Sequence, residues 1–217
     1  MSVFDLHIHT TFSDGVMDVE TVLKIAEKLK FTGVSITDHD TLKGSLKALA
    51  IQKNYNVLVI PGIEVSTKYG HILVYGLTEL KYSSIDELYD VVHENGGLIA
   101  IAHPYGRLLF FKYPIVDMDD LLEKADAIEC TNGRVYSKCN VKAYVLSEKF
   151  NKPCIGGSDA HIPEEIGSTL TLVYENIESI DDFILAVKKG KTKTLGSKSL
   201  LSIMRSIIAK RIKYLRF

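Results

Sequence analysis

Residues 3–10 read Val-Phe-Asp-Leu-His-Ile-His-Thr, and residues 33–40 read Gly-Val-Ser-Ile-Thr-Asp-His-Asp. Each is a short apolar run that ends abruptly in imidazole and carboxylate. Side chains alternate between the faces of a strand, so His7 and His9, two positions apart, point the same way. The same pattern recurs further along the chain. Pro61-Gly-Ile-Glu64 ends one apolar run, Gly70-His71 opens another, Ala102-His103-Pro104 closes a third, and Ser158-Asp159-Ala-His161 follows a fourth.

The spacing predicts strands over 3–9, 33–37, 57–62, 71–76, 98–102, 126–130, 153–156 and 169–174. Between several of them lie segments of helical period at 19–29, 85–93, 121–124 and 141–150. Strands alternating with helices imply an α/β fold with a mainly parallel sheet. Eight short strands in a 217-residue chain without a GxGxxG turn favour a closed or nearly closed barrel over a Rossmann sheet. The span 64–76 has no room for a helix and is expected to hold a two-stranded hairpin that distorts the barrel.

Strand ends of a parallel barrel converge on one face, where such barrels do chemistry. His7, His9, His39, His71, His103 and His161 would gather there with Asp14, Glu64 and Asp159. Imidazoles and carboxylates together are the usual ligands of Zn, Mn or Fe. The seventh histidine, His93, lies in a helical pattern and reads as a partly buried surface residue.

The set HxH (7–9), TDHD (37–40), GIE (62–64), AHP (102–104) and SDAH (158–161), in that order, closely resembles the polymerase and histidinol phosphatase (PHP) superfamily. With Gly167-Ser-Thr169 after them, these motifs span most of the chain. The resemblance implies a distorted (β/α)7 barrel, TIM-barrel-like, with two or three divalent transition-metal ions. By position, His7, His9, Glu64 and Asp159 would hold the first ion. Glu64 would bridge to a second, shared with His71 and His103, and Asp14, His39 and His161 would hold a third. Glu64, His103, Asp159 and His161 are then the expected catalytic residues. Aspartate at position 14 resembles the members that act on nucleotide phosphates.

The implied chemistry is hydrolysis of phosphomonoesters, nucleotide-like or other small phosphorylated metabolites, by a metal-bridging hydroxide. The alternatives are a phosphodiesterase or exonuclease of either polarity on nucleic acid, a histidinol-phosphate phosphatase, a non-catalytic module of a nucleic-acid complex, and an amidohydrolase-type enzyme. Arg107 and Arg134 in strand-end loops are the expected phosphate binders, since the guanidinium fork matches phosphate oxygens. Asp38 and Asp40 flank His39 and are expected to orient imidazoles. Tyr105 and Tyr136 lie near enough to the site to stack a base or simply pack.

Composition narrows the setting. Hydrophobic residues make up 46% and charged residues 24% of the chain, with a formal net charge of -1, so no overall field draws nucleic acid or membrane. Residues 198–217 differ, with six basic residues, no acidic one and apolar residues at helical period. They read as an amphipathic helix beyond a barrel of residues 1–190, docking on the barrel, on a second copy, on nucleic acid or on an anionic membrane surface. The polar stretch 190–198 reads as the separator. No apolar run is long enough to span a bilayer and no signal peptide is evident. Cys130, Cys139 and Cys154 show no CxxC spacing, so a reducing cytoplasm is expected, with Cys130 a packed apolar filler.

Overall fold

The computed structural model describes residues 1–106 and 119–196. The strands are β1 (Ser2–Ile8), β2 (Gly33–Ile36), β3 (Leu58–Val59), β4 (Gly62–Thr67), β5 (Gly70–Tyr75), β6 (Leu98–Ile101), β7 (Ala127–Asn132), β8 (Cys154–Gly157), β9 (Thr169–Val173) and β10 (Thr192–Gly196). The α-helices are α1 (Val19–Lys28), α2 (Lys43–Ile51), α3 (Ile85–Glu94), α4 (Asp119–Lys124), α5 (Ser137–Lys149) and α6 (Ile180–Lys188).

Local chemistry starts these helices where they start. The Asp18 side chain accepts the Thr21 N–H at the head of α1, which buries Val19, Val22, Leu23 and Ala26 at helical spacing. Ser179 and Asp182 form a reciprocal capping box at the head of α6.

The strands form two five-stranded sheets, ordered β10-β9-β1-β2-β3 and β4-β5-β6-β7-β8. In the first, β1, β2 and β3 run parallel, β9 runs antiparallel to β1, and β10 runs antiparallel to β9 and so in the direction of β1. In the second, the β4–β5 hairpin and β5–β6 are antiparallel, whereas β6, β7 and β8 run parallel. The expected closed barrel of seven strands is therefore not formed among the described residues. Two isolated bridges, Ile8↔Ala160 and His39↔Glu64, join the sheets instead.

The single strand expected at 57–62 explains the break. It splits at Pro61, which has no N–H to offer a ladder, leaving a two-residue β3 and a fresh start at Gly62. At the other junction β8 comes close to β1. A Cβ on Gly157 would stand 2.4 Å from the Cβ of His7, so only glycine admits this approach. The core lies in three buried clusters, centred on residues such as Val92 and Ile128, Phe4 and Phe183, and Leu23 and Ile36.

Three further readings are corrected. The set of helical segments is incomplete: residues 43–51 and 180–188 also form helices. The polar stretch after Gly190 is not a separator, since Thr192–Gly196 pairs residue for residue with β9. Cys130 is not an unpaired filler but forms a disulfide with Cys154, tying β7 to β8 and leaving Cys139 free. Residues 198–217, and with them the expected basic helix, lie outside the described residues, as does Arg107. Among the described residues no helix is long and apolar enough to cross a membrane.

Candidate metal centre

All nine expected ligands meet at one end of the strands. His7 lies in β1 and His9 just beyond it, Asp14 in the following loop, and His39 after β2. Glu64 lies in β4 and His71 in β5, two positions out of register across the hairpin, His103 follows β6, and Asp159 and His161 follow β8.

Glu64 is the hub. One carboxylate oxygen stands 3.2 Å from His7 Nε2, 3.1 Å from His9 Nε2 and 3.2 Å from His39 Nδ1. The other stands 2.7 Å from His71 Nδ1 and 3.0 Å from His103 Nε2. Asp159 Oδ1 approaches His9 Nε2 at 3.3 Å, His161 Nδ1 at 3.5 Å and His7 Nε2 at 3.8 Å. Asp14 Oδ1 approaches His161 Nε2 at 3.1 Å, His9 Nδ1 at 3.7 Å and His39 Nε2 at 3.9 Å.

These donors fit metal ions. The Nε2 atoms of His7 and His9 lie 3.1 Å apart and both face the same Glu64 oxygen. One proton between two imidazoles satisfies one lone pair, whereas a cation at their common focus satisfies all of them. Donor atoms lie within 4.8 Å of one another in four groups: His7, His9 and Asp159; His39, Glu64 and His71; His9, Asp14, His39 and His161; and His7, His103 and Glu129. Imidazole with carboxylate is the donor set of zinc, manganese and iron.

The electrostatics of the metal-free cluster are those of a tightly packed salt. Burial alone would depress His7 and His9, but the carboxylates around them prevail. Glu129, Glu64 and Asp159 hold His7 well above the usual histidine value. Asp159 and Glu64 hold His9 up at about 9. Burial works against ionised Glu64 and Asp159 too, yet His7 and its neighbours keep both well below the usual carboxylate range. His161 goes the other way, pushed down to about 3 by burial and the nearby charge of His9.

The frame around the cluster contains residues that the motifs did not single out. Buried Glu129 accepts from His7 Nδ1 at 2.9 Å and from the His103 backbone N–H at 2.8 Å. Asn132 donates to Glu129 and to Asp159, at 3.1 and 3.3 Å. Buried Asp5 accepts the backbone N–H groups of Ser158 and Gly167, at 2.9 and 2.8 Å, and pins the loop that bears Asp159. Burial raises its carboxyl to about 6. His103 and Asp159 also sit at positive φ, +25° and +54°, a region that side chains other than glycine rarely adopt. Such strain gathers at sites whose surroundings over-determine the backbone.

Other expectations fare unevenly. Asp38 and Asp40 do not orient imidazoles by any hydrogen bond among the described residues. Asp38 instead accepts from the Thr10 backbone, the Thr10 hydroxyl and the Ser13 hydroxyl, shaping the loop that carries Asp14. Asp40 accepts the Ser66 N–H. Short polar side chains beside a ligand do not reveal in sequence which partner they choose.

Arg134 lies where the Asn132-Gly133 turn brings it, its N–H bonded to Asn132 Oδ1 at 2.9 Å. Its side chain is 16% exposed and its Nη1 stands 3.5 Å from buried Glu165. Glu165 in turn accepts the His161 N–H at 2.8 Å. Tyr105 is half-buried, with Lys142 Nζ 5.7 Å from its ring centre, and Tyr136 is exposed. His93 binds Asp126 at 3.0 Å on the surface, away from the cluster, as its helical setting implied.

Comparison with known proteins adds family context. The family model described as PHP-associated matches residues 139–192. An uncharacterized protein of Methanocaldococcus jannaschii, MJ0417, is 30% identical over 209 residues, covering 91% of this chain and 84% of its own length. The 5'-3' exoribonuclease Rnm of Salmonella typhimurium is 36% identical over 67 residues, which cover 30% of this chain and 23% of Rnm. Among solved structures, a two-domain protein from Bacteroides vulgatus, described as containing a predicted PHP-like metal-dependent phosphoesterase, superposes with a TM-score of 0.78. It is 19% identical, with 96% of this chain and 69% of that one covered, so the likeness is one of fold.

Proposed function

Because the chain belongs to the PHP superfamily and gathers nine imidazole and carboxylate donors at one end of its strands, we propose that it is a metal-dependent phosphoesterase. The single observation that supports this best is Glu64, whose two oxygens each face imidazoles on different sides of the cluster. A carboxylate so placed suits two cations at once. His7, His9, Glu64 and Asp159 would hold one, Glu64, His71 and His103 a second, and Asp14, His39 and His161 a third. Such ions supply positive charge for phosphoryl oxygens and a water acidic enough to attack phosphorus near neutral pH.

The chain's own residues set the approach. His7, His9 and Glu64 are sealed from solvent, while Asp14 and His39 are 27% and 29% exposed. The ester therefore enters over Asp14, His39, His71 and His103. Arg134 supplies fixed positive charge beside Asp159 and His161, and its planar fork suits a phosphate better than a point charge. Glu64, His103, Asp159 and His161 are the side chains whose loss stops turnover.

The substrate we favour is a small phosphorylated, nucleotide-like metabolite cleaved as a monoester. A second reading, a phosphodiesterase or exonuclease on nucleic acid, draws on the similarity to the exoribonuclease. Incubating the protein, loaded with manganese or zinc, with a panel of phosphomonoesters, cyclic phosphodiesters and short oligonucleotides tests both. Chelator-sensitive release of inorganic phosphate from monoesters supports the first, and shortening of oligonucleotides supports the second. No turnover of any phosphoester by metal-replete protein would overturn the proposal.

A further inference from the structure

The geometry points to Glu129 as the positioning residue that fixes which nitrogen of His7 faces the metal cluster and holds the His103 and Asp159 segments in register with it. This rests on the metal-dependent reading above. Its argument begins with donors. Three groups converge on one buried carboxylate: the His7 ring at 2.9 Å, the His103 backbone N–H at 2.8 Å and the Asn132 amide at 3.1 Å. The last two are donors only at these atoms, so the group between them must accept from both. An ionised carboxylate is acceptor-only and suits them; the amide of glutamine is not.

The consequence for His7 is specific. In the neutral ring that a metal requires, accepting from Nδ1 places the one proton there and leaves the Nε2 lone pair aimed at the focus shared by His9, Glu64 and Asp159. A carboxylate behind a ligating imidazole fixes its tautomer and raises its basicity. Glu129 also reaches two other strand ends. Through the His103 N–H it braces a residue held at positive φ, and through Asn132, whose Nδ2 is also 3.3 Å from Asp159 Oδ2, it braces another. One side chain on β7 thus sets ligands following β6 and β8 against one on β1.

Glu129 also lies close enough to His7 and His103 to serve as a ligand itself. Its occupied oxygens argue against that role. Both already accept N–H groups, and the two donors on one oxygen, a backbone N–H and an amide N–H, cannot give up their protons to make way for a metal.

Glu129→Gln and Glu129→Asp separate the possibilities, each assayed by thermal melting, by zinc stoichiometry and affinity in competition with a chromogenic chelator, and by kcat and KM on an active phosphoester. Glutamine keeps the size and loses the acceptor-only character; aspartate keeps that character and loses reach. The expected result is a folded Glu129→Gln protein with unchanged stoichiometry and zinc affinity weakened about ten- to a hundredfold. Its kcat should fall while KM holds, and Glu129→Asp should recover part of the affinity. Wild-type affinity in Glu129→Gln overturns the assignment. So does loss of one whole ion with the rest bound as before, which would make Glu129 a ligand. If Glu129→Gln does not fold, an affinity for Glu129→Asp equal to wild type, despite its lost reach, overturns it as well. The zinc measurements need no substrate, so failure of the phosphoesterase reading would leave them standing.

Discussion

Glu64 and His39 meet twice: their backbones form one of the two bridges between the sheets, and their side chains meet at 3.2 Å inside the donor cluster. The Asp40 N–H donates to the Glu64 carbonyl at 2.9 Å in the same junction. The seam between the sheets and the hub of the site are therefore one feature.

Glu64→Gln keeps the bridge but puts an amide N–H₂ among five imidazoles and removes the negative charge they share. Metal content by elemental analysis should fall by at least one ion per chain, and turnover should be lost. Asp14→Ala touches only the group of His9, His39 and His161, so it should empty mainly that site. Full metal content in Glu64→Gln would show that Glu64 is no bridge.

Arg134→Ala should lower kcat/KM roughly ten- to a hundredfold with metal content unchanged, the effect of losing a charge-assisted phosphate contact of about 1.5–3 kcal/mol. It should also lower the melting temperature, because Glu165 is buried and loses its cationic neighbour. Adding Glu165→Gln should restore stability and leave the kinetic defect in place. Kinetics that recover together with stability would make Arg134 a structural residue only.

The Cys130–Cys154 bond joins neighbouring parallel strands across 24 positions of sequence. A loop of that size gives about 3 kcal/mol of stabilisation in the chain-entropy picture. Cys154→Ser should lower stability by an amount of that order while leaving metal content alone, since neither sulfur faces the donors. Thiol titration of the unfolded, unreduced protein should find one free cysteine, Cys139; three would remove the bond from the account.

Much of this was legible in the sequence because the chemistry sits at strand ends. Apolar runs that stop in His or Asp announce both the element and its functional end, so the strands near 3–9 and 33–37 and all nine donors could be read directly. What was not legible depended on tertiary choice. Pro61 breaks a run that hydropathy alone reads as one strand, and with it the barrel opens into two sheets. Glu129 follows the apolar pair Ala127-Ile128 like many strand residues, and only the fold reveals that it faces His7. Thr192–Gly196 looks like linker because its partner, β9, supplies the pairing that its own polar composition does not advertise. Cysteine spacing says nothing of two strands that become neighbours.

Metal binding should release protons, and the sign follows from His9. In the metal-free protein burial disfavours its charged form, but Asp159 and Glu64 outweigh this and raise its pKa to about 9 from an ordinary 6.5. A raised pKa in the folded state means that this ion pairing contributes stability fully below pH 6.5 and loses it as pH rises through about 9. At pH 7.5 the ring is therefore still protonated, whereas a ligating imidazole must be neutral. Zinc binding at that pH should expel at least one proton. Titration calorimetry in buffers of different ionisation enthalpy measures the number directly. The apparent affinity should rise with pH up to about 9, by roughly tenfold per unit for each proton released, and then level off. As pH falls below 7 the ions should leave, and activity with them, before the fold itself is lost, because the same carboxylates then hold imidazolium instead of metal. Zinc affinity independent of pH between 6.5 and 9 would mean that His9 is already neutral in the metal-free cluster or does not bind the ion.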